Sequence, residues 1–126
     1  MAEGEEDNPY DAESRKIQKG KARIERADIL ADYIKRYGRS SLKWRGYPEG
    51  SLVIQMKLSS QDSRIIYFDY PEIISEILEE FRVNHPRNLE GKIAHYLTQS
   101  DRIAGFKAPL RKGYFTVRSP PERDSC

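Results

Sequence analysis

The sequence predicts an α+β domain: an antiparallel sheet with a long N-terminal helix and a second amphipathic helix. Three patterns carry that expectation. Apolar residues recur at helical spacing up to Gly38, an apolar/polar alternation begins at Leu52, and a proline-led amphipathic stretch opens at Pro71.

The first helix is expected over residues 15 to 37. Ile17, Ile24, Ala27, Leu30, Ala31, Ile34 and Tyr37 gather on one side of a helical wheel, and Gly38 is a natural stop. Gly20 is its weak point, because an interior glycine costs about 1 kcal/mol relative to alanine. Next, Leu52, Ile54, Met56 and Leu58 alternate with Val53, Gln55 and Lys57. The run Ile65-Ile66-Tyr67-Phe68 follows a polar stretch, so the pair reads as a hairpin.

Pro71 stands where a helix tolerates proline. Behind it, Ile73, Ile74, Ile77, Leu78 and Phe81 share a face while Glu72, Glu76, Glu79 and Glu80 point away, giving a helix over 71 to 83 that ends before Asn84-His85-Pro86. Residues 88 to 98 admit two readings. As a helix they complete a winged helix-turn-helix with Lys107, Arg111 and Lys112 near the wing. As a strand they give the order α-β-β-α-β-β-β. Gly91 weakens a short helix and Gln99-Ser100-Asp101 suits a hairpin turn, which favours the strand and leaves the winged helix-turn-helix as the alternative. Further strands are expected at 102 to 107 and 114 to 118. Residues 1 to 14 and 119 to 126 lack apolar periodicity and are expected as disordered tails around a single domain spanning 15 to 118.

With 37% apolar and 33% charged residues and a mean hydropathy of −0.81, the chain has material for one small core. No apolar run exceeds Ile65 to Phe68, and the first residues are acidic where a signal peptide would be basic. A soluble, cytoplasmic protein without a membrane partner is expected.

The net charge of +2 conceals blocks of opposite sign. Residues 1 to 14 carry Glu3, Glu5, Glu6, Asp7, Asp11 and Glu13 and no base, whereas residues 15 to 47 carry eleven bases against three acids. On the expected helix, Arg15, Lys19, Arg23 and Arg26 form one stripe. Glu25, Asp28 and Asp32 fall on another face with Lys21 and Lys35. Beyond it, Arg36, Arg39, Lys43 and Arg45 interleave with Trp44 and Tyr47 in a stretch rich in glycine and serine. Cations there would bind phosphate and the rings would stack on unpaired bases, although the same rings could instead cap the core.

Catalytic signatures are missing. The glycines are dispersed without a phosphate-cradling loop, no nucleophile elbow or zinc helix occurs, His85 and His95 lack further ligands, and Cys126 is the lone cysteine. Neither a catalytic residue, a metal nor a cofactor is expected. One strand, Leu52-Val53-Ile54-Gln55-Met56-Lys57, resembles the core strand of the PD-(D/E)xK nuclease superfamily, with Gln55 where an acid is usual. The resemblance implies a metal-assisted nuclease using Glu49, Gln55 and Lys57, but the upstream aspartate is absent and Glu49 is only six positions before Gln55.

The expected function is binding of nucleic acid, single-stranded or distorted, through phosphate contacts. Its candidate residues are Arg15, Lys19, Arg23, Arg26, Arg36, Arg39, Lys43, Trp44, Arg45, Tyr47, Lys107, Arg111 and Lys112. The alternative is a non-catalytic protein-interaction module, an inhibitor or adaptor whose charge blocks dock a partner. A degenerate nuclease is the minor alternative.

Overall fold

A computed structural model describes residues 17–38 and 48–117. The two expected tails, and the loop cations and rings Arg39, Lys43, Trp44, Arg45 and Tyr47, lie outside the described residues, as does Arg15. The fold is mostly sheet, six antiparallel strands curled into a half-barrel with two short helices. In chain order these are β1 (Gln18–Ile29), α1 (Leu30–Tyr37), β2 (Leu52–Ser59), β3 (Asp62–Phe68), α2 (Pro71–Glu80), a 3-10 turn (Pro86–Leu89), β4 (Ile93–Gln99), β5 (Arg102–Lys107) and β6 (Phe115–Thr116). Spatially the strands run β3-β2-β1-β4-β5-β6, so β1 is central.

The long N-terminal helix is therefore corrected: Gln18–Ile29 is strand, and only Leu30–Tyr37 is helix. The cause is a bulge. Ala22 and Ile24 face the core with the two-residue step of a strand, but the register with β2 shifts between Ile24 and Arg26, and the next core residue is Ala27. A three-residue step from Ile24 to Ala27 mimics helical spacing. Gly20 is a close-approach glycine and no weak helix position, because the Tyr96 ring lies against it and an added Cβ would stand 2.6 Å from Tyr96 Oη. Helix begins only at Leu30, whose N–H bonds the carbonyl of Ser51, and ends at Gly38 (φ 92°).

The winged helix-turn-helix is excluded as well. The segment after the second helix contains a single 3-10 turn, with Leu89 buried and the His85 Nδ1 accepting from the Arg87 N–H, and then β4. Ser100 and Asp101, both with positive φ, make the two-residue turn into β5. The expected hairpin is β2–β3, and the second amphipathic helix is α2.

The inner face of the curl is the core. Ala22, Ile24 and Ala27 of β1 and Leu52, Ile54 and Met56 of β2 meet Ile66 and Phe68 of β3, Ala94 of β4 and Phe106 of β5. Phe68 reaches Phe106 (5.7 Å) and Phe115 (6.4 Å) from a strand well removed in the sheet, which requires the curl. Helix α2 covers this core with Ile77 and Phe81. Helix α1 packs on the opposite, outer face, where Leu30 and Tyr33 cover Val53 and Tyr67. Among the described residues no helix is long and apolar enough to cross a membrane.

Candidate nucleic-acid interface

Strand register determines which charges share the outer face. On β1, Lys19, Lys21 and Arg23 alternate with the inward Gly20, Ala22 and Ile24, so all three project outward and are exposed. Their neighbours follow from the pairing. Arg23 stands opposite Lys57 of β2 and Ile93 of β4, Lys21 opposite His95, which in turn stands opposite Lys107 of β5, and Lys19 opposite Leu97. Helix α1 occupies only the end of this face near Val53, Ile65 and Tyr67. Around Lys19, Lys21 and Arg23 no described element covers the sheet.

None of these three cations has an ion-pair or hydrogen-bond partner among the described residues. Lys57 is different, standing 3.8 Å from Glu25. The bulge turns both Glu25 and Arg26 to the outer face. Glu25 also accepts from Gln55 Nε2 (3.4 Å) and Ser63 Oγ (3.5 Å), while the Arg26 guanidinium stacks 4.4 Å from the Tyr37 ring of α1. The expected helical stripe is thus replaced. Lys19 and Arg23 do share a face, Lys21 joins them instead of the acids, and Arg26 is drawn aside to α1.

Other expected cations are held by internal partners. Arg36 donates to Asp28 Oδ2 (2.9 Å), Glu90 Oε1 (3.0 Å) and the Tyr37 hydroxyl (2.9 Å), locking α1 to β1 and to the loop before β4. Glu90 also accepts from Tyr37 (2.7 Å) and from the Ala27 N–H (3.0 Å), a backbone donor left free where β1 runs past the start of β4. Burial alone would push the Glu90 carboxyl up, but the donors Arg36, Tyr37 and Ala27 outweigh it and hold it below its ordinary value. The same two carboxylates raise the Arg36 guanidinium further, so it is permanently charged.

In the β5–β6 loop, Lys107 Nζ donates to the carbonyls of Ala108, Pro109 and Arg111 and lies 5.6 Å from the Tyr114 ring. Arg111 bonds Glu76 of α2 (3.0 Å) and the Gly113 carbonyl, and covers the Phe115 ring at 3.8 Å. Lys107 and Arg111 are the struts of this loop, and Lys112 is left exposed on it.

The residues of the nuclease resemblance do not assemble. Gln55 and Lys57 share the outer face, but Gln55 is held by Tyr33 and Glu25, and Glu49 sits in the turn before β2 with its carbonyl on the Ala31 N–H. The ligand atoms of Asp28, Asp32 and His85 approach within 4.8 Å of one another, yet Asp28 is already occupied by Arg36 and the Ile29 N–H.

Sequence reasoning missed Lys21, Lys57, His95 and Tyr114 as members of the outer face. The signal was available for Lys21, since Lys19-Gly20-Lys21-Ala22-Arg23-Ile24 alternates strictly with period two. The others enter only through cross-strand register. Comparison with protein-family models, with curated proteins and with solved structures finds no match to this chain.

Proposed function

We propose that the protein binds nucleic acid, preferably single-stranded, along the outer face of its sheet. The observation that carries this reading is the set Lys19, Lys21 and Arg23, three exposed cations on one strand, without carboxylate partners among the described residues, on sheet that no described helix covers. Alternate residues of a strand lie roughly 7 Å apart on one face, comparable to the spacing of phosphates along an extended strand, so one backbone can meet all three. Partly exposed Ile93, Leu97 and Tyr114 supply apolar and ring surface beside them. The acidic side of α2 belongs to the inner-face layer, where its charge does not oppose the ligand.

The test is fluorescence anisotropy of a labelled oligonucleotide at several salt concentrations. Each phosphate contact to a single strand contributes about −0.7 to the slope of log affinity against log salt. A slope of −2 or steeper is expected from the three cations together with their neighbours. Absence of binding, or binding indifferent to salt, removes the proposal and returns the protein-interaction alternative.

A further inference from the structure

The outer face contains a second feature that this function does not require: a histidine between two lysines. Lys21, His95 and Lys107 are register partners on β1, β4 and β5, so their Cβ atoms are adjacent at about 5 Å. Lys107 is a fixed charge, its ammonium pinned by three loop carbonyls. The half-buried imidazole of His95 has no hydrogen-bond partner among the described residues.

Among the described residues, the neighbours of His95 on this face are non-acidic. Ile93 and Leu97 flank it on its own strand, Lys19 and Arg23 stand diagonal to it on β1, Gly105 follows the same face of β5, and Tyr114 packs beside Lys107. On this face Glu25 lies toward β2, engaged by Lys57, Gln55 and Ser63, and Asp28 lies at the α1 end, engaged by Arg36. Burial, then Lys107, then Lys21 push the pKa of this ring below the ordinary histidine value, disfavouring its protonated form.

We propose that the Lys21–His95–Lys107 row is a proton-linked phosphate site, in which a backbone phosphate of the bound nucleic acid seats against the imidazole and is held more tightly once that ring takes a proton. The inference rests on the nucleic-acid reading and adds a ligand position and a pH dependence to it. An anion in the row cancels the repulsion from both lysines and attracts the imidazolium, so binding raises the affinity of His95 for its proton. By linkage, a proton on His95 raises affinity for the phosphate by the same factor. Without an anion the row repels the proton, and with one it welcomes it.

The experiment follows the two histidines of the full chain by NMR from about pH 5 to 8, in sodium chloride, in sodium sulfate at equal ionic strength, and with a short oligothymidylate. Anisotropy of the same oligothymidylate is measured in parallel for the native chain and for His95→Gln. The expected result is an upward pKa shift of His95 and not of His85 with both anions. Affinity of the native chain should rise several-fold from pH 8 to pH 6, bounded at tenfold per pH unit for one proton, with a flat profile in His95→Gln.

Salt-dependent binding with identical pH profiles in both chains, and no shift of His95, overturns this site while leaving the nucleic-acid reading intact. A sulfate-induced shift of His95 without oligothymidylate binding supports the anion site and overturns the nucleic-acid reading. No shift and no binding overturn both. Because the NMR arm uses the native chain, the result does not depend on how well His95→Gln folds.

Discussion

Arg36→Met separates an internal strut from a ligand-binding cation. Asp28 is fully buried, and its carboxylate has two partners, the Ile29 N–H and Arg36. Removing the partner of a buried charge costs about 3–5 kcal/mol when both groups are dry. Here the Arg36 side chain is 31% exposed, and Glu90 keeps the Tyr37 hydroxyl and the Ala27 N–H, so the loss falls below that range. A loss of about 2–3 kcal/mol is expected. At a urea m-value of about 1.5 kcal/mol/M this moves the unfolding midpoint down by roughly 1.5 M with m unchanged. Arg36→Met paired with Asp28→Asn should recover part of the loss, because the stranded charge is gone. The salt slope for oligonucleotide binding should stay as in the native chain. A midpoint shift under about 0.3 M, or a slope reduced by a full contact, would refute the placement of Arg36.

Gly20→Ala should destabilise by about 1–3 kcal/mol in the same urea titration, because the new Cβ enters the space of the Tyr96 ring, and the same substitution should cost much less when made in a Tyr96→Ala background. Glu90, with a pKa depressed in the folded chain, contributes stability that is present above the ordinary glutamate value of about 4.3 and is lost as pH falls through the depressed value. Urea midpoints of the native chain should therefore decline in that acidic window, and Glu90→Gln should show a shallower decline from a lower starting point. Lys107→Met removes the donor from three loop carbonyls, so tryptic cleavage after Arg111 or Lys112 should accelerate while the global midpoint moves much less.

The parts of the fold that were legible in the sequence are those in which one periodicity runs uninterrupted. Leu52 to Leu58 alternate without a break, and Ile73 to Phe81 hold one helical face behind Pro71, so β2 and α2 are visible in the chain. Strand β1 was not, because its alternation is broken by the bulge at Glu25 and continues directly into α1 without a turn residue. Leu30, Tyr33, Ile34 and Tyr37 are genuinely helical, and extending their pattern backwards through Ala27 and Ile24 converts a strand into a helix on paper.

The candidate interface was legible to a lesser degree. Charge blocks identify the segment that carries Lys19 and Arg23, but helix and strand sort the same cations differently. His95 is far from them in sequence and joins through pairing alone. Which arginines are consumed internally was likewise hidden, since Arg36 meets Glu90 across 54 residues of chain and Arg111 meets Glu76 across 35.

The most direct test is the salt dependence of oligothymidylate binding by the variant Lys19→Met/Lys21→Met/Arg23→Met, compared with Arg36→Met and the native chain. Three exposed cations removed from one face should flatten the slope by about 2 and weaken binding most at low salt, while the fold, judged by circular dichroism, persists. A triple variant that binds with the native slope would contradict the sheet-face interface.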